Sequence, residues 1–416
     1  MTQLDEEELG RVELLVGFAR VGHDAGYPTA DLEERVAALA GALGFEGAQV
    51  SATPTIVDVS LGPVPDQRSF TLRVRPTLVD LDAIARLDEL VQDVLDGRVE
   101  PDAALVRLAE VERRPLNRRW PIRLGAYALA GAAVAPVLGG GTRDVLASGA
   151  VGLIVGAIAI AARRAAARAE PMFAPLAAIA ASFAAALIAE LGPQISPDLV
   201  TLAALVTFLP GMALTIGMRE LATEHLQSGV ANTANALVQL LGLVFGVGVG
   251  RSIAANWFGV AEQQVRHPSF SLVHVLAAAA AGLAFTVTLR APLSSAPVMC
   301  SAAMLAVLVN AIGKALLGAP AGVFVAALAL GLAGGVVSVV LRRSPLVFIV
   351  PGILMLVPGS AGFSSLLQLL VGQTVGGVEA GFNTFVTAMA IAYGLMVSAV
   401  VLPRRYTQFV ATTGAP

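Results

Sequence analysis

Two patterns of apolar and polar positions divide the chain. Up to about residue 117 the pattern is local and mixed; from Pro121 onward it is a series of long apolar runs. In the first part, Leu9, Val12, Leu14, Leu15, Phe18 and Ala19 fall at helical spacing. A second helix is predicted to start near Thr29, with Glu33 and Glu34 in its first turns. Short alternating pieces follow at Ala48 to Ser51, Thr55 to Val59 and Phe70 to Val74. Gly62-Pro63 and Pro65-Asp66 punctuate them, so they read as a small antiparallel sheet. Two more helices are predicted over about Leu78 to Leu95 and Ala103 to Val111. Residues 1–117 are therefore expected to form a soluble α+β domain. It carries no nucleotide-binding loop, no CxxC and no HExxH, and its acid-rich helices read as solvated faces.

The second part reads as membrane. A hydrocarbon core of about 30 Å takes about 20 helical residues to cross. Ten runs are long enough: 121–138, 144–162, 172–191, 199–217, 229–252, 269–289, 295–317, 320–341, 346–363 and 380–403. The fourth and ninth are interrupted by Pro-Gly pairs: Pro210-Gly211, Pro351-Gly352 and then Pro358-Gly359. Proline removes a backbone donor and glycine permits unusual dihedrals. In lipid, backbone groups freed in this way must face protein or a water-filled cavity. Interrupted spans at matching places in two halves point to a transporter's substrate site. Two kinked but purely structural helices are the alternative.

Composition agrees: 56% of residues are hydrophobic and 14% charged, with a mean hydropathy of +0.76. That excludes an ordinary soluble protein and indicates a polytopic membrane protein. The net charge of −3 comes with no basic patch beyond the arginines that flank spans, so no nucleic-acid partner is expected. The lone Cys300 can form neither an intrachain disulfide nor a metal cluster, and no cofactor or metal is expected. The acidic N-terminus, with no apolar stretch behind it, shows no signal peptide.

Charge predicts orientation. Arg113, Arg114, Arg118, Arg119 and Arg123 crowd the entry to the first span. Arg163, Arg164 and Arg168 follow the second, Arg219 the fourth, Arg290 the sixth, Arg342-Arg343 the eighth and Arg404-Arg405 the tenth. With alternating spans these share one side, and the other side holds only Arg143, Arg251, Arg266 and Lys314. The positive-inside rule then makes the N-terminal domain and the C-terminus cytoplasmic.

The halves also repeat. Pro210 and Pro351 lie 141 residues apart, and Asn232-Thr233 is echoed 151 residues on by Asn383-Thr384. Five spans per half is odd, so the second copy would be inverted. The expected architecture is an all-α membrane transporter of about ten helices in two inverted five-helix repeats (118–266 and 267–416), behind the small α+β domain.

Phe208 to Gly229, FLPGMALTIGMRELATEHLQSG, resembles a signature of the threonine/serine exporter family, and Val350 to Phe363, VPGILMLVPGSAGF, resembles that family's second-half signature. The cytoplasmic module followed by five plus five spans fits as well, so the resemblance covers nearly the whole chain. It implies export of small hydroxy amino acids, driven by the proton motive force. Related bacterial systems carry the halves as separate subunits and are connected with dicarboxylate export, which keeps a dicarboxylate such as succinate as an alternative substrate. One departure stands out. Family members often carry a basic residue early in the fifth span, where this chain has Asn232.

A zwitterionic substrate needs donors for its carboxylate and acceptors for its ammonium, and a broken helix offers both. The expected binding residues are Pro210, Gly211, Thr215, Asn232, Thr233, Asn235, Gln239, Pro351, Gly352, Asn383 and Thr384, with Thr387 beside them. The alternative for the polar ones is hydrogen bonding between helices. Ionisable residues at membrane depth are candidates for coupling or gating. They are Arg219, Glu220, Glu190, Lys314 and His274. Arg219 and Glu220 either gate the fourth span or form a surface ion pair. Glu190 and Lys314 either pair or stay apart, Lys314 then reaching to the interface. His274 relays protons or is a packing residue. Glu220 ranks first among them for coupling.

The glycine ladders Gly242/Gly246/Gly250 and Gly331/Gly335 predict close helix packing, within one subunit or between copies in a homo-oligomer. An intramembrane protease at Gly359-Ser360-Ala361-Gly362 fails for want of a base, since His274 lies in another span without an orienting acid. A signalling receptor is the remaining alternative, and the N-terminal domain offers no motif for it.

Overall fold

The computed structural model describes residues 6–45, 47–62, 67–74, 79–113, 118–162, 172–192, 194–258, 270–341, 343–356 and 358–402. The expectations for Arg114, Arg163, Arg164, Arg168, Arg266, Arg342, Arg404 and Arg405 lie outside the described residues.

The N-terminal unit comprises α1 (Glu6–Asp24), α2 (Thr29–Ala42), β1 (Gln49–Ala52), β2 (Ile56–Leu61), β3 (Arg68–Arg73), α3 (Leu81–Leu95) and α4 (Pro101–Arg113). The three strands form an antiparallel sheet in the order β1-β2-β3, with Val57 opposite both Ala52 and Leu72. One face of β2 is buried, through Val57, Val59 and Leu61, against Leu14, Phe18, Leu32, Val36, Ile84 and Leu87 of the helices. Alternation in β2 and helical spacing in α1 to α3 thus converge on one core. Inside it, Arg35 donates to Asp88 through Nε at 2.5 Å, and the Tyr27 hydroxyl donates to the same carboxylate oxygen at 2.6 Å. Burial of Tyr27 beside Asp88 pushes its hydroxyl well above the ordinary tyrosine range.

The remainder is helical: α5 (Trp120–Val137), α6 (Thr142–Ala162), α7 (Phe173–Glu190), α8 (Pro197–Ala204), α9 (Gly211–Ala222), α10 (Leu226–Phe258), α11 (Leu272–Thr288), α12 (Ala296–Leu317), α13 (Ala319–Leu341), α14 (Leu346–Leu356), α15 (Pro358–Leu370) and α16 (Thr374–Val401). Helix therefore occupies each of the ten stretches expected from the sequence. Among the described residues, seven helical stretches are long and apolar enough to cross a membrane, eight if the bent pair α8/α9 counts as one. The chain is a multi-pass membrane protein. Two boundaries are longer than expected: α10 extends to Phe258, and α16 begins at Thr374.

Packing follows the glycines. A Cβ on Gly246 would lie 2.4 Å from the Pro175 carbonyl oxygen, and one on Gly250 2.5 Å from that of Ile179, so α10 lies backbone to backbone on α7. Gly331 receives Ser398 and Gly335 receives Leu402, seating α13 on α16 and its C-terminal end. Both ladders act within the subunit. In the first half α5 packs on α6, α10 on α7 and α10 on α9; in the second α11 packs on α12, α16 on α13 and α16 on α15. Across the halves α5 meets α11, α9 meets α16 and α10 meets α15.

The two interrupted stretches behave differently. Between α8 and α9 the chain bends by 51° through a short 3₁₀ turn, Val206–Phe208, then an extended Leu209 and Pro210. In the second half Pro351 sits inside α14, and α14 and α15 run as one apolar stretch of 25 residues, Leu346–Leu370, with residue 357 outside the described residues. The expected break at Pro351-Gly352 is thus corrected. The helix absorbs the missing donor of Pro351, leaving the Val347 carbonyl without its usual partner. Gly352 serves packing, since a Cβ there would meet Leu330 of α13 at 2.4 Å.

Candidate transport site at the bent helix

Helix α9 begins at the bend. Pro210 precedes its first turn, where a missing donor costs nothing and no carbonyl lies four residues back within the helix to clash with the ring. Gly359, at the start of α15, closes on that turn. A Cβ on it would lie 3.0 Å from the Gly211 nitrogen and 3.2 Å from Leu209 Cβ. Gly359, rather than Gly352, is therefore the glycine brought to Gly211. Thr215 is buried and donates its hydroxyl to the Gly211 carbonyl at 2.9 Å. Thr207, in the bend, has a buried hydroxyl oxygen without a hydrogen-bond partner. Sequence reasoning passed over Thr207, although a polar residue just before a Pro-Gly pair was a usable signal.

Nine residues on, about 13 Å along the helix, stands Glu220. It is 1% exposed. One carboxylate oxygen accepts from Asn232 Nδ2 at 2.7 Å, and the other accepts from the Thr29 hydroxyl. Arg219 turns the other way, donating to both oxygens of Asp31 at 2.6 and 3.4 Å. The surface ion-pair reading of Arg219 and Glu220 is thus corrected: each bonds to a different residue of the N-terminal unit. Glu220 is a buried acid bonded only by neutral donors, and a carboxylate is rarely kept in that setting for stability.

The start of α10 lies beside it. Thr233 packs on Gly217, where a Cβ would meet its hydroxyl oxygen at 2.5 Å, and that oxygen is buried without a partner. Asn235 is half-buried and Gln239 exposed. Leu214, Ala236 and Ala388 join α9, α10 and α16 in a small apolar cluster. From α16, Thr384 is buried, donates to the Ala380 carbonyl at 2.8 Å and touches the position of Gly362. Asn383 is exposed, and Thr387 donates to its carbonyl at 2.7 Å.

The other ionisable candidates stand apart. Glu190 and Lys314 are both exposed at helix ends, and no ion pair joins them. His274 accepts at Nδ1 from the Ser271 backbone N–H at 3.1 Å, closing the first turn of α11. Its position is explained by that cap.

The sequence profile described as "Putative threonine/serine exporter" matches residues 14–254, and a second, "Threonine/Serine exporter, ThrE", matches residues 273–401. The chain belongs to the threonine/serine exporter family. A "Probable threonine/serine exporter" of Mycobacterium tuberculosis is 26% identical over 400 residues, covering 92% of this chain and 75% of the relative. A "Threonine/serine exporter" of Corynebacterium glutamicum is 24% identical over 395 residues, covering 91% and 79%. No solved structure matches. The matched ranges of this chain span both Pro-Gly segments that carry the sequence resemblance, together with Glu220, Asn232, Thr29 and Asp31.

Proposed function

We propose that the chain exports threonine and serine across the cytoplasmic membrane by alternating access, driven by the proton motive force. The observation that carries this reading is Glu220: a carboxylate sealed at the end of a bent membrane helix, bonded by Asn232 and Thr29 and by no cation. Such an acid can gain or lose a proton without breaking an ion pair, which a coupling residue must do. The first-turn N–H groups of α9, which have no carbonyl partner within the helix, suit a substrate carboxylate. Thr207, before that turn, and Thr233, packed on Gly217 further along α9, carry unpartnered hydroxyl oxygens that suit a hydroxy amino acid. The curated relatives' names support the substrate class.

The reading includes two inverted five-helix repeats, 118–266 and 267–416, behind a cytoplasmic domain of residues 1–117. The matched packing of α7 on α10 and α13 on α16, and the reciprocal contacts of α9 with α16 and α10 with α15, support a repeat. The 51° bend between α8 and the stretch that carries α9 suits a helix that changes shape in alternating access. Orientation is supported by the described arginines Arg118, Arg219, Arg290 and Arg343, whose helix ends gather at the face that holds the N-terminal unit. Protons and the amino acid are the expected partners, with no metal or cofactor. Replacing Glu220→Gln keeps the shape and one of the two acceptor oxygens, turns the other into a donor, and removes the titrating group. Threonine efflux from cells carrying it is expected to fall to the vector-only level at equal protein amount. Wild-type efflux would remove Glu220 from the mechanism.

A further inference from the structure

The N-terminal unit grips the membrane helices at two separate places. The first is the turn from α9 into α10. Thr29, Asp31 and Glu33, alternate residues at the start of α2, take Glu220, Arg219 and His225 in turn, with His225 Nε2 lying 3.5 Å from Glu33 Oε2. Ser228 then donates to the Ala52 carbonyl of β1 at 2.8 Å. The second place belongs to the other half of the chain. Arg290, in the turn from α11 to α12, donates to Asp80 at 2.8 Å, and the Leu81 N–H donates to the Leu289 carbonyl at 3.0 Å. Leu81 and Val79 continue into the apolar core of the helical bundle.

We propose that the N-terminal unit is a lock: anchored on the second half by Asp80 and Leu81, it holds the end of bent helix α9 through Thr29, Asp31 and Glu33, and transport requires that α2 contact to open. The inference rests on the exporter reading. Its physical content is a constraint. A rigid unit bonded to α9–α10 and to α11–α12 forbids the halves to move relative to one another while both grips are closed. The α2 grip is the one placed to release, because it ends on the buried acid. While Thr29 donates to Glu220, that oxygen is closed to water and substrate from the side of the N-terminal unit. The hydroxyl that Thr29 presents is also the group a threonine substrate carries, so the contact occupies the carboxylate as a substrate hydroxyl would. The Asp80 and Leu81 grip has no such competitor.

The test is a reversible cross-link in the full-length protein, with Cys300→Ala and the pair Glu33→Cys and His225→Cys, reconstituted in liposomes. Neither replaced side chain bonds to the Glu220 carboxylate, and the His225 backbone N–H that donates to the Glu220 carbonyl at 2.9 Å is kept in the cysteine variant. The reduced protein is expected to export threonine like the Cys300→Ala parent; oxidation is expected to lower efflux at least ~10-fold, with recovery on reduction, as for any step gated by a moving element. A second variant reads the motion without efflux. Ser228→Cys in the Cys300→Ala background, buried under Ala52, is expected to react with a small maleimide faster when threonine is present than when it is absent. Undiminished efflux from oxidised protein would overturn the lock while leaving the exporter reading intact. Labelling at position 228 that ignores threonine would also overturn it. Absence of efflux from the reduced pair and the parent alike would instead overturn the exporter reading, and the lock with it.

Discussion

Burial decides what single side chains do in this protein. His23 lies 5% exposed, with Nε2 3.2 Å from the Thr53 carbonyl, and burial holds its imidazole below the ordinary range. The folded chain thus keeps His23 neutral where the unfolded chain would protonate it. Stability contributed at this site is full above the ordinary imidazole value of about 6.5 and is lost as pH falls below it. Burial raises the neighbouring Asp24 and the contact residue Glu33, and both carboxyls act in the opposite sense. Comparison with His23→Gln isolates the histidine. Between pH 7.5 and 5.5 the wild type is expected to lose more thermal stability than the variant, by on the order of 1 kcal/mol; equal losses would contradict the assignment. At this scale the sequence was half informative. Glu220 and Asn232 stand out as polar residues in apolar runs, but their contact depends on how α9 turns back into α10. Thr29, 191 residues from Glu220, carries no local mark at all.

Elements were the most legible level, because apolar runs of membrane length leave little choice but helix. The N-terminal strands and helices also follow their local periodicity to within a few residues. The start of α9 behind Pro210 was legible for a physical reason, since a Pro-Gly pair at a first turn costs little. The same pair at Pro351 misled because glycine there answers to Leu330 on a neighbouring helix, which no local pattern reveals. The glycine ladder of α10 gives a graded test. Gly246→Leu would drive a side chain into the Pro175 carbonyl of α7, where backbone cannot yield, whereas Gly242 has only the Pro175 ring at 3.4 Å. Gly246→Leu is expected to cost about 3 kcal/mol or more and to abolish a monodisperse peak in detergent. Gly242→Ala is expected to be tolerated. The reverse order, or no difference, would show that α7 and α10 do not meet as described.

Across the whole molecule, two tryptophans bracket the bundle. Trp120 opens α5 at the end that holds the N-terminal unit and is 59% exposed; Trp257 lies near the far end of α10 and is 73% exposed, beside Phe183 and Phe258. Exposed indoles at opposite ends suit the two membrane interfaces. The 33 residues of α10 give about 50 Å of helix, more than a core of about 30 Å requires. Its first turns therefore extend to the N-terminal unit at the face where Glu220 is closed. This arrangement was not written in the sequence: helix positions were, but the docking of α2 on α9 and of α3 on the α11–α12 turn joins residues far apart in the chain. It places the buried acid between the N-terminal unit and the bend.

That placement makes coupling to protons the central claim, and purified protein in liposomes tests it most directly. Vesicles preloaded with threonine or serine, with succinate as the control, are assayed with and without an imposed proton gradient. The account predicts efflux of threonine and serine that rises with the gradient and is absent for succinate. Efflux indifferent to the gradient, or of succinate alone, would contradict it.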